Sequence, residues 1–204
     1  MATVSLTGID VGSPRLPGRT RQLADGYEVV AGGTDIWGET DEFHFAQVRV
    51  TGDFVLAARL ESLAMADRYT KAGLMLRASP SGASEHAYLL AFGDNQERNK
   101  NNGGLEFQFR ERPNGPSVGV YPPQPLPVHP DFPVNFPDVW LRLTRTGAQI
   151  KAESSPDGRT WRMFCGHRQD LPAAVHLGLA VTSHHPDKTV RAFFSGLVFS
   201  GERL

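Results

Sequence analysis

Apolar and polar residues alternate with a period of two along most of the chain, and Gly, Pro, Asp or Asn break the alternation every 8–15 residues. No other feature constrains the fold as much. Successive side chains of a strand point to opposite faces, so a period of two places one face on a core and leaves the other to polar groups. Many short runs of this kind, separated by turn signals, predict an all-β sandwich or barrel. Leu105–Glu111 is the cleanest case: Leu105, Phe107 and Phe109 share one face, and Glu106, Gln108 and Arg110 share the other.

Further strands are predicted at Gly26–Ala31, Phe43–Val50, Phe54–Leu63, Lys71–Arg77, His86–Phe92, Val139–Thr146, Gln149–Ser154, Thr160–Phe164, His176–Thr182 and Val190–Ser200. The pair Gly32-Gly33 permits a sharp turn with positive φ. Thr51-Gly52-Asp53 predicts a hairpin between its flanking strands, Gly147-Ala148 predicts another, and Ser155-Pro156-Asp157-Gly158 reads as a turn. Leu60–Tyr69 offers at most one helical turn. Two stretches interrupt the rhythm. Gly93–Gly104 is polar and Asn-rich, and Pro113–Pro137 holds nine prolines in 25 residues. Proline has no N–H for a sheet ladder, so 113–137 reads as a loop insertion. Its Tyr121, Phe132 and Phe136 are expected to pack.

The totals bound the partners. A chain of 204 residues suits one domain spanning 1–204. The net charge of −1 gives no basic field to attract nucleic acid or anionic lipid. Neither nucleic acid nor membrane is an expected partner, and no apolar run approaches the ~20 residues of a membrane helix. The lone Cys165 forms no intrachain disulfide or CxxC site. The first residues lack a basic start followed by an apolar run, so a cytoplasmic location is expected. No cofactor or metal is expected.

Six blocks occur in order: DVGSP (Asp10–Pro14), GGTDIWGETDEFHF (Gly32–Phe45), KAGLMLR (Lys71–Arg77), VWLRLTRTG (Val139–Gly147), SSPDGRTW (Ser154–Trp161) and LGLAVTSHH (Leu177–His185). Together they resemble a bacterial domain family of concanavalin A-like, laminin-G-like jelly rolls, a domain of unknown function with some relatives grouped as "regulation of enolase" proteins. The resemblance covers nearly the whole chain. It implies a two-sheet antiparallel jelly-roll sandwich of about a dozen strands, no established activity, and frequent company with carbohydrate-active modules. The Pro-rich insertion and the Asn-rich loop depart from the family pattern.

Three groups of residues bear on function. Glucanases on this scaffold carry alternating carboxylates on one strand, where residues two apart share a face. Glu39 and Asp41 fit that spacing, but the next same-face residue is Phe43. Trp37 suits either a sugar-stacking platform or an apolar plug at the sandwich end, while Trp140 and Trp161 are expected in the core. His44 lies between Phe43 and Phe45, and faces out if the phenylalanines face in. Lys71, Arg77, Gln108 and Arg110, joined by His86 and Tyr88, converge on one polar sheet face if their strands neighbour each other. Arg and Gln there would bond hydroxyls or carboxylates, and Tyr would stack. The bland alternative is an ordinary solvated face. His184-His185 point to opposite faces and lack the three convergent ligands that catalytic zinc needs.

The expected function is a non-catalytic ligand-binding module, with carbohydrate held by Trp37, His44, Lys71, Arg77, His86, Tyr88, Gln108 and Arg110. A hydrolase using Glu39 and Asp41, and a protein-interaction domain docking through 113–137, are the alternatives.

Overall fold

The computed structural model describes residues 4–98, 103–121 and 132–204, so the middle of the Pro-rich stretch and part of the Asn-rich loop lie outside the described residues. Among the described residues there is no helix. The strands are β1 (Thr7–Val11), β2 (Arg19–Gln22), β3 (Gly26–Ala31), β4 (Asp35–Trp37), β5 (Thr40–Leu63), β6 (Lys71–Arg77), β7 (His86–Phe92), β8 (Leu105–Arg110), β9 (Val118–Val120), β10 (Val139–Thr146), β11 (Gln149–Ser155), β12 (Arg162–Arg168), β13 (Ala174–Thr182) and β14 (Val190–Arg203).

The pairings are antiparallel and separate into two sheets that share β5. The first half of β5 pairs with β1 on one side and β13 on the other, and β6, β7, β8 and β9 follow in order. The second half pairs with β10 and β14, which lead to β11 and β12 on one side and to β3 and β2 on the other. This is a sandwich, one of the two architectures that the alternation predicts, in the jelly-roll form that the resemblance implies.

The hairpin expected at Thr51-Gly52-Asp53 does not form. β5 runs on through it for 24 residues, and Gly52 takes φ +70° where the strand passes between sheets. The local signal is sound for a turn, but each half finds better partners elsewhere: β13 pairs as far as Thr51, and β10 pairs from Phe54. The Asp53 carboxylate instead accepts from the Gly147 N–H at 2.7 Å, capping the neighbouring β10–β11 turn.

Leu74, Leu76, Leu89, Phe107, Leu141, Leu143, Leu177 and Leu179 meet Leu56, Leu60 and Ile150 between the sheets, with almost no exposure. Each such side chain contributes about 1.5–3 kcal/mol on burial. Phe132 and Val134, on the described flank of the Pro-rich stretch, join this core, and Phe136 packs against it. Trp140 and Trp161 do not. Val139, Leu141 and Leu143 take the inner face of β10, which leaves Trp140 half-buried on the outer one, where it covers Gly158 and Gly196. Trp161 is also half-buried, with the Arg142 guanidinium over its ring at 4.0 Å.

Candidate functional site

The outer face of the first sheet carries the residues expected to converge. The registers Arg77↔His86↔Arg110, Met75↔Tyr88↔Gln108 and Lys71↔Phe92 place them in rows. The face is not solvated. A second apolar cluster of Val11, Ile36, Phe43, Phe45, Met75, Tyr88, Leu90, Phe92 and Ala180 covers its centre. Phe43 and Phe45 therefore point to this face rather than into the main core.

At one end of the face lies a buried ion cluster. Asp41, the second residue of β5, accepts from both terminal nitrogens of Arg110 at 2.7 and 2.8 Å and from Arg77 at 3.1 Å. All three side chains are fully buried. The remaining guanidinium N–H groups reach the carbonyls of Ser79, Ser81, Ser84 and Gly115. His86 sits against Asp41 and both arginines. Burial, reinforced by Arg77 and Arg110 and only partly opposed by Asp41, drops its pKa to about 3. This corrects three expected ligand contacts: Arg77, His86 and Arg110 hold the fold and have no accessible surface. It also removes Asp41 from any acid–base role, since both its oxygens are taken, while Glu39 lies exposed in the preceding turn.

A neutral buried histidine makes stability pH-dependent. Its folded pKa lies below the unfolded 6.5, so the unfolded chain binds the extra proton, and stability falls as pH drops through 6.5 toward 3. The expected loss from this group is about 2 kcal/mol by pH 5. Urea titrations at pH 7 and pH 5 on wild type and His86→Gln check it. Equal pH dependence in the two proteins would discount the assignment.

Two other expected contacts are also corrected. The Tyr88 hydroxyl is fully buried and donates to the Ala180 carbonyl at 2.9 Å. His44 has the opposite orientation to its phenylalanine neighbours. It is 3% exposed and bridges Asp10 (Nδ1–Oδ1 2.7 Å) and Thr20 (Nε2–Oγ1 2.9 Å), tying β1, β2 and β5 together. Gly8 and Gly18 leave room for its ring.

At the other end of the face a cavity of about 240 Å³ opens, lined by Asp35, Trp37, Tyr69, Lys71, Phe92, Arg98, Glu106, Gln108, Tyr121 and His184. Three expected residues, Trp37, Lys71 and Gln108, meet here. Trp37 is no plug: it is 37% exposed, at the end of β4 on the cavity wall. Lys71 Nζ bonds Asp35 at 2.8 Å. His184, in the left-handed region at φ +54°, places Nε2 at 3.2 Å from Asp35 and Nδ1 at 3.1 Å from Asp67. Burial would raise the Asp35 pKa, but Lys71 and His184 overcome it and hold it at about 2. Burial opposes charge on His184, yet the bond to and charge of Asp35 lift its pKa above the ordinary value. Arg98 is buried against Asp94, with its guanidinium 4.3 Å from the Phe92 ring centroid. Gln108 Nε2 donates to Glu106 at 2.7 Å.

Sequence reading missed seven of these lining residues. Glu106 was legible, because it shares the Gln108 face. Asp35 opens β4 while Tyr69 and His184 come from two separate loops, and no local spacing announces that they meet. Among the described residues no cluster of three or more His, Cys, Asp or Glu has metal-holding geometry.

No family model and no curated protein matches the sequence. Solved structures do match the fold. A functionally unknown protein from Saccharomyces cerevisiae superposes with a TM-score of 0.69 at 18% identity, over 97% of this chain and 96% of that one. The carbohydrate-binding module CBM66 from Bacillus subtilis gives 0.56 at 12%, over 93% and 94%. Lectin I-B4 from Griffonia simplicifolia gives 0.53 at 9%, over 96% and 92%. Identities this low speak for architecture alone, and the architecture they share with this chain is the concanavalin A-like jelly-roll sandwich.

Proposed function

We propose that the protein is a non-catalytic carbohydrate-binding module whose site is the cavity at Trp37. The observation that carries this reading is the lining itself: Trp37, Tyr69, Phe92 and Tyr121 are aromatic, and Lys71, Glu106 and Gln108 bring hydrogen-bonding groups among them. An aromatic wall with a few fixed polar groups is the common make-up of small-molecule sites. The volume lies just under the roughly 300–1,000 Å³ of drug-sized sites and suits one sugar ring. The roofed Asp41 cluster closes the rest of the face, so a polysaccharide has no open groove there. Similarity of fold to a carbohydrate-binding module and a lectin supports the reading. The buried Asp41 and the exposed Glu39 speak against the hydrolase alternative. Docking of a protein through 113–137 would draw in part on residues 122–131, which lie outside those described.

Calorimetric titration with neutral and acidic monosaccharides and oligosaccharides tests the proposal. Trp37→Ala is expected to weaken binding at least tenfold, as removal of a central Trp contact commonly does. Its melting temperature should hardly move, because the ring is partly exposed. Silence of the wild type across the panel, or unchanged affinity in Trp37→Ala, would sink it.

A further inference from the structure

The outer face of the second sheet, on the opposite side of the sandwich from the cavity, gathers three arginines around one carboxylate. The registers Arg19↔Val30↔Arg191 and Arg21↔Glu28↔Phe193 set these side chains in two adjacent rows across β2, β3 and β14. Tyr27, Val29, Ala192 and Phe194 belong to the main core, so Glu28, Arg191 and Phe193 point outward. The Glu28 carboxylate lies 3.1 Å from Arg21, 3.6 Å from Arg191 and 3.7 Å from Arg19. It is 3% exposed beneath them, whereas the three arginine side chains are 62%, 53% and 68% exposed in the same order.

One carboxylate does not balance three guanidinium groups. Among the described residues none of the three forms an ion pair with a second one. Carboxylates of neighbouring segments are engaged elsewhere: Asp10 with His44, Asp187 with Arg15, and Glu61 with Arg59. Asp25 stands three residues before Glu28, roughly 10 Å along extended chain, where salt largely screens it. The patch therefore carries positive charge in excess, although the whole chain carries −1. Guanidinium groups held this close repel one another, and an anion laid over them relieves the repulsion. Their planar forks suit carboxylate or sulfate groups. Phe193, half-buried beside Glu28, adds an apolar ring to the same face.

We infer that this face is a second ligand site and that it takes an acidic polysaccharide. Carboxylates or sulfates of the ligand sit on Arg19, Arg21 and Arg191, and a sugar ring lies on Phe193. The inference goes beyond the cavity reading and does not rest on it. Nucleic acid fits less well. A duplex carries a charge every ~1.7 Å and its binders neutralise many phosphates, whereas this patch is small and the chain around it is slightly acidic.

The experiment titrates wild type at roughly 50 mM salt with polygalacturonate, alginate, chondroitin sulfate and heparin, with neutral dextran, and with a single-stranded oligonucleotide. At least one acidic polysaccharide should bind, more weakly as salt rises, and dextran should not bind at this face. The Arg21→Ala/Arg191→Ala double variant should lose roughly tenfold or more in affinity. Phe193→Leu should lose roughly threefold. Arg191→Glu is a second route to the same loss, and melting curves check that each variant is folded. Arg159→Ala/Arg203→Ala removes as much charge from exposed positions outside the patch and should bind as wild type does. Silence of every acidic polysaccharide, or an equal loss in the control pair, would overturn the inference. So would tighter binding of the oligonucleotide, or abolition of acidic-polysaccharide binding by Trp37→Ala. None of these outcomes counts against the cavity reading.

Discussion

An Asp41→Asn protein is expected to melt roughly 6–20 °C below the wild type. Asp41 is the shared counter-ion of Arg77 and Arg110, and none of the three side chains has accessible surface. Removing the charge leaves two guanidinium groups without their carboxylate in a site that water does not reach. Breaking a buried pair in this way costs about 3–5 kcal/mol, and each kcal/mol moves a chain of this size by about 2–4 °C. Asparagine keeps the shape and one acceptor oxygen, so the loss reports charge rather than packing. Thermal melts of Asp41→Asn beside Glu39→Gln provide the comparison. The exposed Glu39 should tolerate its change without effect. A shift under 2 °C for Asp41→Asn would show that the carbonyls of Ser79, Ser81, Ser84 and Gly115 suffice to hold the arginines.

Gly178→Ala should be as damaging by a different route. Gly178 lies in the middle of β13, paired with Gln47 on one side and Met75 on the other. A Cβ there would fall inside the van der Waals shell of the Ala46 carbonyl oxygen and within 2.8 Å of Gln47 Cα. These are backbone atoms of a central strand, so no side-chain rotation relieves the clash, and β13 must part from β5. Overpacking of this kind costs about 1–3 kcal/mol when side chains yield, and more is expected when a strand pair must move. The urea midpoint should fall accordingly. A midpoint within experimental error of wild type would mean that the two strands have slack that the geometry does not show.

Period-two alternation was enough to place most strands and to assign the inner and outer faces of β6, β7 and β8. It succeeded there because those strands are central and each pairs with the next in sequence. It failed at residues 51–53, where a turn signal was overruled by pairings with β13, β10 and β14, distant in sequence. It also misplaced Trp140. Alternation shows that Trp140 and Leu141 take opposite faces, but the choice of inner face came from packing of β10 against the other sheet. The polar face was legible as a face but not as two environments. A roof built by the β4–β5 turn and residues 78–84 and 112–117 turns one end into a buried ion cluster and leaves the other as a cavity. Charged residues on a strand look alike in sequence whether they bind a ligand or each other. What separates them is what lies above the sheet.

The single long β5 also shapes how the molecule comes apart. Because it belongs to both sheets, neither can peel away or fold as an autonomous unit without breaking pairs in the other. Its neighbours are drawn from both ends of the chain, β1 on one side and β14 on the other. Closure of the sandwich therefore waits on contacts between residues about 150 positions apart, such as Arg203 with Val50, the kind of long-range pairing that slows folding. Gly52, which looks like the natural place to cut or circularly permute the chain, is the joint across which the two sheets share one backbone.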